Sequence, residues 1–349
     1  MKRLFIVVFA IANFILCLSA QNNKENIGQN HITIVFYNCE NFFDTINDEK
    51  IKDEEFLPYG KKQWTGDKYF KKIQNLSKVL VAIDSIKLPD IIGLSEIENY
   101  NVLEDFIKYS PLSKGNYNII HYNSSDPRGI DVALLYKPDI FKIISYSAIP
   151  VYYDSINKKQ KGREIMYVKG LVTKRDTLHI FVNHWKSRAG GIKETEPKRI
   201  RFAITLKQTI DSIFKINPNA NIISMGDYND EPENISLKYY LKSEYFVHTP
   251  TSDKLYNLMF SLKKDNKGTH FYKGEWNVLD QFIVSGALLQ KKHTLYVKNN
   301  KAMVFNPGWI TQKYKSTNEK IPLPTYEGLK YIGGFSDHFP IYMIINISK

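Results

Sequence analysis

Apolar residues along this chain fall in short runs bounded by polar and turn-forming residues. The runs 32–38, 90–96, 117–122, 130–136, 165–173, 177–184, 221–227, 278–285 and 338–347 are rich in Ile, Val, Leu and aromatic residues and predict strands. Two stretches carry a helical period instead. Residues 68–86 place Phe70, Ile73, Leu76, Leu80 and Ile83 on one stripe; residues 197–214 do the same with Ile200, Ala203, Ile204, Ile210, Ile213 and Phe214, with Pro197 expected in the first turn. Several strands are apolar on both faces, as in Ile32-Thr-Ile-Val-Phe-Tyr37, and must be covered on both sides. The pattern therefore predicts an α/β fold in which two packed sheets have helices outside them. No internal repeat or interdomain linker is visible, so one domain over 31–349 is expected, with Lys-rich surface loops at 157–163 and 313–320 and a long irregular insertion at 298–330.

Polar residues sit where these strands end. Side chains alternate faces along a strand, so parity groups Asn38 with Ile34 and Phe36, Glu96 with Ile92 and Leu94, and His184 with Leu178, Ile180 and Val182. Asp227 follows Ile223 and Met225, with Asn229 just beyond; Asp280 lies between Val278 and Phe282; Asp337 and His338 open the last strand. Any one of these suits a turn or cap. Together they make a set that is costly to bury unless its members pair or bind a cation.

Composition narrows the setting. The first twenty residues have a basic start (Lys2-Arg3), an apolar stretch from Leu4 to Leu18 and a small-residue end at Ser19-Ala20, which reads as a signal peptide cleaved near Ala20, with 21–30 as a flexible lead-in. Export to the periplasm or the extracellular space is expected, without stable membrane insertion. Cys17 raises lipidation as an alternative, although Leu16 fits that processing poorly. The mature chain retains a single cysteine, Cys39, so no internal disulfide can form. Of the 349 residues 43% are hydrophobic, ample for a large core, and the formal net charge of +12 falls to +10 without Lys2 and Arg3. Such a surplus suits a polyanion, an anionic membrane surface, or merely a soluble basic exterior.

Carboxylate and amide oxygens without a cysteine cluster suit a hard cation, Mg²⁺ or alternatively Mn²⁺ or Ca²⁺. Such an ion stabilises charge developing on a phosphoryl group, and a His oriented by an Asp is a base suited to activating water near neutral pH. The residue types point to metal-assisted hydrolysis of phosphate esters.

Seven segments, in order, resemble the endonuclease/exonuclease/phosphatase superfamily. They are Phe36-Tyr-Asn-Cys-Glu-Asn-Phe-Phe-Asp44, Ile92-Gly-Leu-Ser-Glu-Ile-Glu-Asn99, Arg128-Gly-Ile-Asp-Val-Ala-Leu-Leu-Tyr136, Asn183-His-Trp-Lys-Ser-Arg188, Gly226-Asp-Tyr-Asn229, Leu279-Asp-Gln-Phe-Ile283 and Gly334-Phe-Ser-Asp-His-Phe-Pro340. The resemblance implies a four-layer α/β sandwich of two mainly antiparallel sheets flanked by helices. It implies Asn38 and Glu96 as principal metal-site residues, with Asp337 a further ligand. Asp227 and Asn229 would position water and phosphate, Asp280 would orient His338 as general base, and His184 would bind the scissile phosphate. Whether Asp227 or His338 activates water stays open. Arg128 would contact phosphate, and Lys186 and Arg188 would extend a basic rim. Glu40 and Glu98 have motif-like placement and are candidates for a supporting role, Tyr136 belongs with the core, and Trp185 and Trp276 suit either a base stack or core packing.

The substrate is less constrained. Export, basic charge and the Asn183-His-Trp-Lys-Ser-Arg188 segment favour a nuclease acting on DNA or RNA; no protein partner is evident, and a monomer is expected. A phospholipid or phosphoinositide hydrolase is the alternative enzyme reading, disfavoured by the lack of an amphipathic docking helix. A catalytically dead nucleic-acid-binding scaffold is the third, and the complete residue set speaks against it.

Overall fold

Burial of apolar strands on both faces organises the chain into two stacked sheets. The computed structural model describes residues 31–348 except 155, 157, 159, 173, 174, 247, 248 and 316; the expected signal peptide (1–20) and lead-in (21–30) lie outside the described residues. In chain order the strands of the sheets are β1 (His31–Phe42), β2 (Ile91–Ile97), β3 (Asn118–His121), β4 (Asp131–Tyr136), β5 (Phe141–Tyr152), β6 (Lys161–Val172), β7 (Asp176–His184), β8 (Asn221–Asp227), β9 (Ser243–Tyr245), β10 (Leu255–Asn257), the small hairpin β11 (His270–Tyr272) and β12 (Glu275–Asn277), then β13 (Asp280–Ser285), β14 (Leu295–Val304) and β15 (Ile341–Ile347). One sheet has the order β14-β15-β1-β2-β4-β3 and the other β5-β6-β7-β8-β13-β10-β9. Pairing is mainly antiparallel, with parallel contacts at β1–β2, β7–β8 and β9–β10.

The inner faces form one core, in which Ile34, Phe36 and Leu134 of the first sheet belong to the same cluster as Ile180, Val182, Met225 and Phe282 of the second. Gly93 allows the sheets to approach closely there: a Cβ would lie 2.6 Å from Met225 Cε. Helices α1 (Gly66–Ile83) and α2 (Tyr100–Lys108) cover the outer face of the first sheet, packing Ile73, Leu76, Leu80, Val102 and Phe106 against Val35, Leu94 and Leu135. Helix α3 (Ile192–Ile216) covers the second through Phe202, Leu206 and Ile210 against Phe181 and Ile222. The four layers are those expected for this fold class.

Several expectations shift. Phe70 is 43% exposed, and Tyr69 and Val79 take its place on the buried stripe. Pro197 lies inside α3 rather than in its first turn, because the helix begins at Ile192. Strand β5 escaped the pattern because it is a sheet edge: Ile144 and Tyr146 are exposed, and Pro150 removes a donor that an edge strand can spare. Helix α2 is short, but its start is signalled by Asn99, whose side chain accepts the Val102 N–H at 2.9 Å. The 298–330 stretch is not wholly irregular, since it completes β14 and folds into two small hairpins, 311–313 with 320–322 and 326–327 with 330–331. Among the described residues no helix is long and apolar enough to cross a membrane.

The parallel register of β7 and β8 puts His184 opposite Asp227 and Asn183 opposite Gly226. A Cβ on Gly226 would stand 2.2 Å from the Asn183 carbonyl oxygen, a backbone atom that cannot give way cheaply. Gly226→Ala is expected to destabilise the fold by about 2–3 kcal/mol, read by denaturant unfolding. An unchanged midpoint would show that β7 and β8 have room to separate.

Candidate active site

The ends of β1, β2, β7, β8 and β13 and the segment before β15 meet at one edge of the sandwich, and their polar residues meet with them. Asp227 stands opposite Asp280 across β8–β13, both essentially buried. His338 Nδ1 lies 2.7 Å from Asp280 Oδ2, and donor atoms of Asp227, Asp280 and His338 all fall within 4.8 Å of one another. Asn38 Nδ2 donates to Asp227 Oδ2 at 3.1 Å and lies 3.5 Å from Glu96 Oε1, which bridges the two sheets. His184 Nε2 is 3.6 Å from Asp227 Oδ2 and 3.8 Å from Glu96 Oε1.

Glu96 reaches this edge for a reason that strand parity does not supply. Ile92 and Leu94 pack on the helix side of the first sheet, while Ile91 and Gly93 face the other sheet. Simple alternation would aim Glu96 at the helices. Instead the β1–β2 register shifts between Asn38/Ser95 and Phe42/Ile97, and Glu96 adopts φ 61°. This left-handed bulge turns the carboxylate inward, where Oε2 accepts the Asn41 N–H at 2.8 Å. Glu40 and Asn41 are left-handed as well (φ 50° and 51°), so the facing strand carries matching strain, about 1–3 kcal/mol per residue.

The electrostatics follow from burial. Burial raises the Asp227 carboxyl to about 7, against the pull of the His338 cation and with the nearby Asp280 charge adding to the rise. For His338, burial works against the charged ring, but Asp280, Asp337 and Asp227 outweigh it and hold its pKa well above the ordinary value. His184 goes the other way: burial, then the Arg163 and Arg128 charges, push it well below. The two histidines are thus driven apart, one toward imidazolium and one firmly neutral.

The expected residues take different tasks. Asn229 donates through its backbone N–H to Asp227 Oδ1 (2.9 Å) and through Nδ2 to the Trp185 carbonyl and Asp227 Oδ2, so it braces Asp227. The Asn38 oxygen accepts the Glu40 N–H at 3.0 Å and keeps a second lone pair, while its nitrogen orients the carboxylates. Arg188, expected on the basic rim, is a brace instead: it donates to the Asn229 carbonyl (2.8 Å), Asn277 Oδ1 and Asn234 Oδ1, because the loop after β8 folds over it. Arg128 is half exposed and paired with Asp126. Lys186, among the described residues, makes no ion pair, and burial together with Arg163, Arg128 and Lys198 lowers its pKa. Asp337 is half-buried beside His338. Trp185 is core, fully buried and stacked on Phe202, whereas Trp276 is partly buried against Phe339.

Two residues near the site have no counterpart in the sequence reading. Arg163 is buried, with Nη1 2.8 Å from His184 Nδ1 and Nη2 donating to the Trp185 carbonyl. It lies in a Lys-rich stretch that reads as surface, and only its place inside β6 turns it inward. His270 sits in a three-residue strand too short to show a period, with its ring 4.6 Å from that of His338.

The oxygen donors fit a divalent cation. Asp280 Oδ1 is buried with no hydrogen-bond partner, and Asn38 links the carboxylates of Asp227 and Glu96 across the sheets, with Asp280 opposite Asp227.

Arg163→Met is expected to raise the pH at which the His184 ring titrates, followed by imidazole proton resonances, because a neighbouring cation is removed while burial remains. A titration unchanged from wild type would show that burial alone holds the ring neutral.

Comparison with known proteins places the chain. The Endonuclease/Exonuclease/phosphatase family profile matches residues 33–347. No curated protein matches the sequence. Among solved structures, truncated Caenorhabditis elegans TDP2 is similar at 14% identity and a TM-score of 0.54, over 90% of this chain and 98% of that one. The human Nocturnin catalytic domain with bound sulfate is similar at 17% identity and a TM-score of 0.56, over 92% and 95%. A Bacteroides thetaiotaomicron mannosyl-6-phosphatase is similar at 14% identity and a TM-score of 0.53, over 90% and 99%. These likenesses establish the shared fold. The chain belongs to the endonuclease/exonuclease/phosphatase family, whose members are divalent-metal-dependent hydrolases of phosphate esters.

Proposed function

We propose that this protein is an exported nuclease that hydrolyses phosphodiesters of DNA or RNA by in-line attack of water. The observation that carries this reading is the crowding of cations beside the buried acidic site. Arg163 and Arg128 bear on His184, and Lys186 feels both of them and Lys198. Of these, the exposed Arg128 and the partly buried Lys186 can meet solvent, and positive charge there suits a polyanion whose phosphates extend past the scissile one. The basic start and apolar stretch of residues 2–18 support export.

Each residue then has a task. His184, neutral and held by Arg163, donates to a phosphoryl oxygen. Asp280 fixes the His338 ring through Nδ1, which leaves Nε2 to exchange a proton with water. Asp227, its carboxyl poised near neutrality and braced by Asn229, holds the water or leaving-group proton. Glu96 and Asp227 would hold the cation, Mg²⁺ being the ion best suited to oxygen donors. When bound, that ion supplies charge neutralisation at the phosphoryl group and offsets the anions that keep His338 protonated.

Plasmid DNA, RNA, sphingomyelin, phosphoinositides and a sugar phosphate monoester, each incubated with the mature protein and Mg²⁺ or Mn²⁺, separate the substrate classes. Nucleic-acid cleavage abolished by EDTA and reduced about 10²–10⁴-fold in His338→Ala is expected. Turnover of lipid or monoester alone would overturn the nuclease reading, as would DNA binding without cleavage.

A further inference from the structure

His270 stands beside the site yet has no task in it. It forms an antiparallel bridge with His338, and the Phe339 N–H donates to the Thr269 carbonyl at 2.7 Å, so the β11 backbone is fastened to the segment that carries His338. Residues opposite each other in such a bridge present their side chains on one face. Accordingly the two imidazoles lie 4.6 Å apart at 36°. Asp337 completes a group: donor atoms of His270, Asp337 and His338 all lie within 4.8 Å of one another. Among the described residues Asp337 makes no hydrogen bond or ion pair, and His270 Nδ1 is buried without a hydrogen-bond partner. A buried ring nitrogen left unpaired is costly and points to a missing partner.

The donors identify that partner's class. Two imidazole nitrogens and one carboxylate favour Zn²⁺, Co²⁺ or Mn²⁺ over Mg²⁺, which prefers all-oxygen surroundings. Asp280 behind His338 Nδ1 adds the carboxylate–imidazole hydrogen bond that orients the other ring nitrogen of a metal-binding histidine. Cys39 does not compete, being buried with its thiol pushed up to about 12.

We propose that His270, Asp337 and His338 form a binding site for a divalent transition ion of the Zn²⁺ class, separate in donor chemistry from the carboxylates of Glu96 and Asp227. Binding itself stands independently of the nuclease reading. A consequence rests on that reading: Zn²⁺ on His338 removes the nitrogen needed for proton exchange, so Zn²⁺ suppresses Mg²⁺-supported turnover.

Co²⁺ serves as the spectroscopic probe. Titrated into the mature protein freed of metal, it is expected to give a visible d–d band that Zn²⁺ displaces. His270→Asn and Asp337→Asn should each weaken Co²⁺ affinity about ten-fold or more, while Glu96→Gln keeps the band. X-ray absorption of the Zn²⁺-loaded wild-type protein should count two imidazoles, a result that does not depend on any variant folding. Unchanged affinity in His270→Asn, loss of the band in Glu96→Gln with His270→Asn unaffected, or a single imidazole at zinc would each overturn the site.

Discussion

Two carboxylates, Asp227 and Asp280, are buried opposite each other on adjacent strands, and the architecture of the catalytic edge answers that constraint. Like charges removed from water at this separation repel strongly, and neither can be left unpaired. His338 neutralises part of the charge through Asp280. Asn38 and Asn229 donate amide hydrogens to Asp227. One Asp280 oxygen still has no partner. The residual negative charge is what draws a divalent cation, and it also makes His338 an unusually basic histidine.

Holding His338 against these carboxylates takes a scaffold drawn from distant parts of the chain. Ser336 Oγ donates to the Asn38 carbonyl (2.7 Å) and accepts the His338 N–H (3.1 Å), which ties the terminal segment to the end of β1. On α1, the buried Lys72 ammonium donates to Thr325 Oγ1 and to the Phe335 carbonyl, and Asn75 Nδ2 donates to the carbonyls of Gly333 and Gly334. Glu40 accepts the Thr325 and Tyr326 N–H groups. The segment from Thr325 to His338 is therefore fixed by helix α1 on one side and by the strained end of β1 on the other. The motif-like placement of Glu40 has its explanation here, as an anchor for the histidine-bearing segment.

Much of this was legible in the sequence because strands buried on both faces and polar residues at their ends leave a strong signal. Asp227, Asp280 and His184 follow directly from alternation, His338 from its place at the mouth of the last apolar run, and the structure brings them together. Glu96 reaches the same place by a bulge that alternation cannot reveal: its parity pointed to the helices, and a left-handed backbone reversed it. Arg163, Arg188 and His270 show the other limit. Whether a cation is a rim, a brace or a partner for an imidazole depends on which loop folds over it, and a three-residue strand such as β11 carries no period to read. Edge strand β5 was invisible for the same physical reason that it is an edge, since half of its surface faces water.

The central claim is that the strand-end carboxylates form a divalent-cation site organised by burial. Mn²⁺ binding followed by electron paramagnetic resonance, on the wild-type protein and on Glu96→Gln and Asp227→Asn, tests it most directly. Mn²⁺ is expected to bind the wild-type protein, and each substitution to weaken binding about ten-fold or more. Absence of binding by the wild-type protein, or equal binding by all three, would contradict it.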